Sequence, residues 1–195
     1  MKQLKIIAAS AIAAAALVAT IGAGSASATT LEVEGATQNK AVTIRWELAP
    51  WTSTVLARTD GSLANTCAYS RMFGSTSTPY TGSKVTGALT SFFFEGCSET
   101  VTVDKAGQLY VEHIAGTTNG TVFSENAEVT FKTPFGNEVN CKTGGGTDIG
   151  TLTGSAWGWA TLHINAVLNC GFLLPSATWK GIYETAFAEG LGVSA

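Results

Sequence analysis

From Ala41 to Leu48 the side chains alternate strictly. Val42, Ile44, Trp46 and Leu48 form one set, and Thr43, Arg45 and Glu47 the other. Only a strand puts successive residues on opposite faces, so this octet is a strand with one apolar and one wet face. Val42, Ile44 and Trp46 are therefore expected inside, with Arg45 and Glu47 toward water. The same period of two recurs along the chain, and the period of 3.6 that marks a helix is almost absent beyond residue 28. Further strands are expected at Thr54–Arg58, Thr66–Phe73, Val85–Phe94, Thr100–Val103, Gln108–Ile114 and Gly120–Phe123. The series continues with Glu128–Lys132, Glu138–Lys142, Gly150–Thr153, Ala160–Leu168, Thr178–Phe187 and Leu191–Ser194.

Between these segments lie residues that favour turns. Asp60-Gly61 and Asn119-Gly120 supply positions tolerant of positive φ, and 74–79 and 144–146 read as longer loops. Breaks at such short intervals leave no room for strand–helix–strand crossovers. The expected fold is all-β: one antiparallel β-sandwich, immunoglobulin-like or jelly-roll-like, spanning 29–195.

The first 28 residues stand apart. Lys2 and Lys5 are followed by an Ala-rich apolar run from Ile6 to Ile21, then by Ala26-Ser27-Ala28. A charged start, a short apolar stretch and a small-residue cleavage pattern make 1–28 a secretory signal peptide, with the mature chain starting at Thr29. The run is about 16 residues, short of the roughly 20 that cross a bilayer. No cysteine lies near the cleavage site to carry a lipid anchor, and no second apolar span follows. The product is expected to be secreted and free of any membrane span. Lys2 and Lys5 leave with the leader, so 11 basic residues become 9 against 14 acidic ones, and the net charge moves from −3 to −5. An acidic chain without a basic stripe is a poor partner for nucleic acid.

Secretion gives the cysteines their meaning. Cys67, Cys97, Cys141 and Cys170 are an even set in an oxidising compartment and read as two disulfides. Three connectivities are possible. The separations of 30 from Cys67 to Cys97 and 29 from Cys141 to Cys170 favour those two pairs. A four-cysteine zinc site would need closer ligand pairs, so no metal is expected. The near-equal separations, with Gly82–Thr90 and Gly150–Gly154 each leading into an apolar strand and a cysteine, also raise an old duplication.

At Asn119-Gly120-Thr121, Asp148–Gly154 and Ile164–Leu168, with Trp179 near a closing hairpin, the chain resembles a group of small secreted Thr/Gly-rich proteins of high-GC Gram-positive bacteria. The resemblance covers most of the mature chain and implies a secreted β-protein of bacterial source. It brings no catalytic or binding residue, because the shared motifs are turns and strands.

Chemistry-bearing patterns are scarce. His113 and His163 are the only histidines, and Glu112 beside His113 must face the opposite way on a strand. No G-x-S-x-G elbow occurs, and Gly144-Gly145-Gly146 lacks the lysine and helix of a phosphate loop. Fourteen carboxylates always allow some glycosidase-like pair, so their number decides nothing. No catalytic residue and no cofactor are expected.

Aromatic residues remain. Trp46 and Trp51 flank Pro50, Phe92-Phe93-Phe94 reads as a strand buried on both faces, and Trp179 and Tyr183 share one face. Trp157-Gly158-Trp159 would put two indoles on one strand face about 7 Å apart. Core filling is the expected use of these rings, Trp157 and Trp159 included. Those two nevertheless mark any ligand surface the chain has. The function expected is non-catalytic and extracellular: binding of cell-surface polysaccharide, or self-association through exposed strand edges. The alternative is a secreted hydrolase acting on polysaccharide or peptide.

Overall fold

The computed structural model describes residues 28–62, 65–77, 83–172, 174–186 and 189–195. The leader assigned to 1–28 lies outside them, apart from Ala28. Fifteen strands follow one another among the described residues: β1 (Thr30–Val33), β2 (Ala36–Thr37), β3 (Thr43–Leu48), β4 (Thr54–Arg58), β5 (Asn65–Thr76), β6 (Val85–Cys97), β7 (Val101–Lys105) and β8 (Gln108–His113), then β9 (Gly120–Glu125), β10 (Glu128–Lys132), β11 (Glu138–Lys142), β12 (Thr147–Thr153), β13 (Thr161–Asn169), β14 (Ser176–Thr185) and β15 (Gly192–Ser194).

The strands do not form a sandwich. Pairing runs from β13 through β14 to β3 and β4, then β5, β6, β8, β9 and β12, and returns to β13. Because β3 and β4 share one place in the wall, this is a closed antiparallel barrel of eight positions. Pro50 explains the sharing: a residue without an N–H interrupts the ladder, and Ala49–Ser53 leaves the wall between the two halves. Closure itself rests on bends. β5 slips register against β6 between Phe73 and Gly74, and β12 slips against β9 between Asp148 and Gly150. Bulges of this kind curl a sheet, and both sit at glycines. A Cβ on Gly74 would lie 2.6 Å from the Ala88 carbonyl oxygen, and Gly150 has φ +147°. No other residue type lets the walls approach so closely at these points.

Inside the barrel the alternation is clean. Leu162, Ile164, Ala166 and Leu168 of β13 are buried, and His163, Asn165, Val167 and Asn169 are exposed. Trp46, Leu56, Met72, Phe92, Trp179 and Tyr183 fill the lumen from other strands. Phe93 faces solvent, so 92–94 follows the period of two and is not buried on both faces. Phe92 and Phe94 instead bracket Trp179, with ring centroids 5.3 and 6.2 Å away. Trp46 of β3 is buried, whereas Ile44 of the same strand and Val42 just before it are only half-buried. Arg45 pairs with Glu47 on the outer face and lies over the Phe73 ring.

Two small sheets close the barrel. The β2–β1–β15 sheet covers one end with Leu31, Leu191 and Val193. There the Thr29 hydroxyl donates to the Ser83 carbonyl and accepts the His113 N–H. The β7–β10–β11 sheet brings Val103, Val129 and Cys141 against Leu56, Phe92, Phe94, Leu168 and Trp179 near the other end. Both expected disulfides form. Both bridge neighbouring antiparallel strands: Cys67 and Cys97 lie opposite each other in β5 and β6, and Cys141 and Cys170 lie beside the Lys142–Asn169 pair that joins β11 to the end of β13. Two disulfides are compatible with an extracellular location. Among the described residues no helix is long and apolar enough to cross a membrane.

One polar cluster lies within the lumen. Tyr183 donates its hydroxyl to Ser70 Oγ at 3.0 Å, and Trp179 Nε1 donates to Thr54 Oγ1 at 2.9 Å. Thr54 in turn donates to the Lys180 carbonyl. Burial pushes the Tyr183 phenol above its ordinary 10.0. The native state therefore keeps a proton that the unfolded chain loses as the pH passes about 10, and stability must fall above that point. Urea midpoints between about pH 9 and 11 should decline less steeply in Tyr183→Phe than in the native protein. Tyr110, whose phenol burial also raises, titrates in both proteins. Parallel declines would show that Tyr183 is not the group responsible.

Candidate functional site

The segment from Gly154 to Ala160 crosses from β12 to β13 at the rim covered by β15. It is not the strand expected from Trp157-Gly158-Trp159. Gly158 has φ +109°, which breaks an extended run, so the strand spacing of the two indoles does not apply. The loop is pinned along its length. Gly154 N–H donates to Asn119 Oδ1, and Ser155 N–H donates to the Leu191 carbonyl. Ser155 Oγ donates to the Trp157 carbonyl, and Gly190 N–H to the Gly158 carbonyl at 2.7 Å. Ala160 exchanges two bonds with Thr185. A backbone held at so many points presents its rings with little ordering left to do on contact. The expectation of inward packing fails here: Trp157 is 85% exposed and Trp159 49%.

Asn119 explains part of that pinning. The Asn119-Gly120 pair was expected to form a tight turn through positive φ, but Gly120 opens β9 in ordinary strand conformation. The positive φ of this loop falls at Gly116. Gly120 is small for a different reason: a Cβ would lie 2.3 Å from Val111 Cγ1.

A third indole, Trp51, beside Pro50 and expected to fill the core, is exposed as well. Trp51 is fully exposed at the crest of Ala49–Thr52, where Thr52 N–H and Oγ1 both donate to the Ala49 carbonyl. Pro50 takes the second position of this turn. Trp51 takes the third, at φ +63°, where glycine is usual. A bulky residue there costs about 1–2 kcal/mol, and strain of this kind gathers at functional positions. The signal in the sequence was Pro-Trp directly after an interrupted strand. Below the turn, Thr52, Ser53, His163, Asn165, Lys180 and Ile182 line a shallow groove on the outer wall.

The remaining candidates do not converge. His113 Nε2 lies 2.7 Å from the Thr117 carbonyl at the rim. Register places Glu112 and His163 in one row, three strand spacings or about 14 Å apart. Carboxylates are scattered as well: the two concavities near β11 hold Glu128 and Glu138, one in each. A hydrogen bond from Lys105 holds Glu128 below the usual carboxylate range, the reverse of what a general acid needs. Inside the barrel a cavity of about 60 Å³ is lined almost wholly by apolar groups, among them Leu31, Ile44, Trp46, Val111, Leu152 and Leu162.

Comparison with protein-family models, curated proteins and solved structures returns no match.

Proposed function

We propose that this is a secreted, non-catalytic binding protein that holds a cell-surface polysaccharide against Trp157 and Trp159. The observation that carries the reading is the exposure of both indoles on a loop fixed by the hydrogen bonds of its neighbours. An aromatic face offers a sugar ring apolar contact on a flat surface, and a prefixed loop keeps the entropic cost low. Secretion, with removal of 1–28, supplies the setting, and the two disulfides suit it. The resemblance to secreted proteins of high-GC Gram-positive bacteria would make the source bacterial.

Self-association has less to draw on. A closed barrel leaves no edge in its main wall, and among the described residues the free edges belong to strands as short as β2 and β7. The hydrolase reading would need converging carboxylates with at least one raised pKa. Glu128 and Glu138 occupy separate concavities and pair with Lys105 and Lys132.

The test is a pull-down on insoluble cell-wall polysaccharide with the native protein and Trp157→Ala/Trp159→Ala. Binding should drop at least about tenfold, as expected when central aromatic contacts are removed. Stability should stay within about 0.5 kcal/mol, since neither ring belongs to the core. Undiminished binding by the folded double variant would remove the proposal.

A further inference from the structure

The outward face of β13 continues the Trp159 surface along the barrel wall. Ala160 points inward and is fully buried, so Trp159, Thr161, His163 and Asn165 alternate onto the outside. From Trp159 to Asn165 this track is about 20 Å long at the rise of a strand. On the neighbouring strand, Ile182 lies opposite His163 and Lys180 opposite Asn165. The Trp51 turn rises along the far side, held where Ala49 N–H donates to the Ile182 carbonyl at 2.8 Å. Track, groove and turn therefore adjoin one another.

Charge distinguishes the groove. Its lining holds the Lys180 ammonium and the His163 imidazole, and no carboxylate. The chain as a whole is acidic, at −3 with its leader. Ion pairs occupy Arg45, Arg58, Arg71, Lys84, Lys105 and Lys132, whereas Lys180 stands in none among the described residues. A cation kept clear of carboxylates in an acidic protein is placed to meet an anion from outside.

Shape selects the kind of molecule. β13 is paired on both sides, by β12 and β14, so no extended peptide can add to it as a strand. The groove is shallow, combines the Thr52 and Ser53 hydroxyls and the Asn165 amide with apolar surface, and has one exposed ring at its side, which suits sugar hydroxyls and ring faces. We infer that the groove of Thr52, His163, Asn165, Lys180 and Ile182, flanked by Trp51, binds a carboxylate-bearing unit of a linear acidic polysaccharide. The inference rests on the polysaccharide reading above and extends it to uronic-acid polymers. Lys180 holds the carboxylate, and Asn165 and Thr52 meet hydroxyls; toward Trp159 the track passes Glu184 opposite Thr161, so the charged unit is held at the Lys180 end.

Calorimetric titration with an oligogalacturonate and with a neutral gluco-oligosaccharide of equal length tests it. The native protein should bind the acidic oligomer about tenfold more tightly, the scale of one charge-assisted hydrogen bond. That preference should shrink in high salt. Lys180→Gln should erase the preference and leave neutral binding intact. Trp51→Gly suits the positive φ, so the variant should fold normally while losing about tenfold for both oligomers. Equal affinity for the two oligomers, or an unchanged preference in Lys180→Gln, overturns the inference. Where Trp157→Ala/Trp159→Ala loses polysaccharide but Lys180→Gln behaves as native, this inference alone falls. Where the double variant retains polysaccharide, the broader reading falls and takes this one with it.

Discussion

Trp46→Ala should lower the unfolding free energy by about 3–5 kcal/mol, the range for truncating a large buried aromatic. Trp46 is in register with Met72 of β5 on one side and Thr185 of β14 on the other, both buried, so its indole sits in a row of inward-facing residues. It also borders the 60 Å³ cavity at the end closed by Leu31 and Leu191. Removing the indole enlarges a void that already exists, and a closed wall has little freedom to collapse into it. The effect should therefore fall toward the upper part of that range. Trp51→Gly provides the contrast, because it removes an equally large ring that is fully exposed and strained. Urea denaturation should place that variant at or slightly above the native stability. A loss below about 1 kcal/mol for Trp46→Ala would mean that the indole is not packed as described.

The same strand shows what a sequence does and does not disclose. Alternation placed Trp46 inside, and Arg45 and Glu47 outside, because a strand's period is independent of the fold around it. That independence is also why a sandwich was expected where a barrel stands. Inward and outward residues alternate identically in both, and the difference lies in which strands become neighbours. Here β13 pairs with both β12 and β14, and the curvature comes from bulges at Gly74 and Gly150. Nothing in composition distinguishes a bulge glycine from a turn glycine. β1 and β2 passed unnoticed because Leu31 and Val33 alternate with Glu32 and Glu34 for too few residues to establish a period.

The disulfide pairing was legible through near-equal spacing and through flanking strands that could be neighbours. Both bridges do cross neighbouring antiparallel strands, one within a long ladder and the other beside a single registered pair. At the candidate site, Trp157 and Trp159 were the right residues assigned the wrong burial. Large rings usually fill cores, and the sequence could not reveal Gly158 turning the backbone out of the strand. Trp51 stands out beside Pro50 but does not read as ligand surface, because the feature that sets it apart is conformational: a positive φ that no sequence pattern displays.

Replacing Cys141 and Cys170 together by serine should cost about 3–4 kcal/mol, near the chain-entropy value for a loop of this size. The Cys67–Cys97 bridge closes a loop of almost the same length, so the companion double variant that removes it should cost a similar amount. The two should differ in where the protein loosens. Cys67 and Cys97 sit within a ladder that runs on from Tyr69 to Thr76, so the strands remain paired without the bond. β11 meets β13 through the single registered pair Lys142 and Asn169, and the bridge is the covalent tie beside it. Without that tie, the β7–β10–β11 sheet stays on the barrel chiefly through Val103 and Val129 packing onto Phe92, Phe94 and Trp179. Local opening should become easier than global unfolding for that sheet alone. Hydrogen exchange should then accelerate in β7, β10 and β11 while β13 and β14 stay protected. The Cys67/Cys97 variant should show no such contrast. Uniform acceleration across barrel and sheet in the Cys141/Cys170 variant would mean that the two fold and open as one cooperative unit, with the bridge acting only on the unfolded chain.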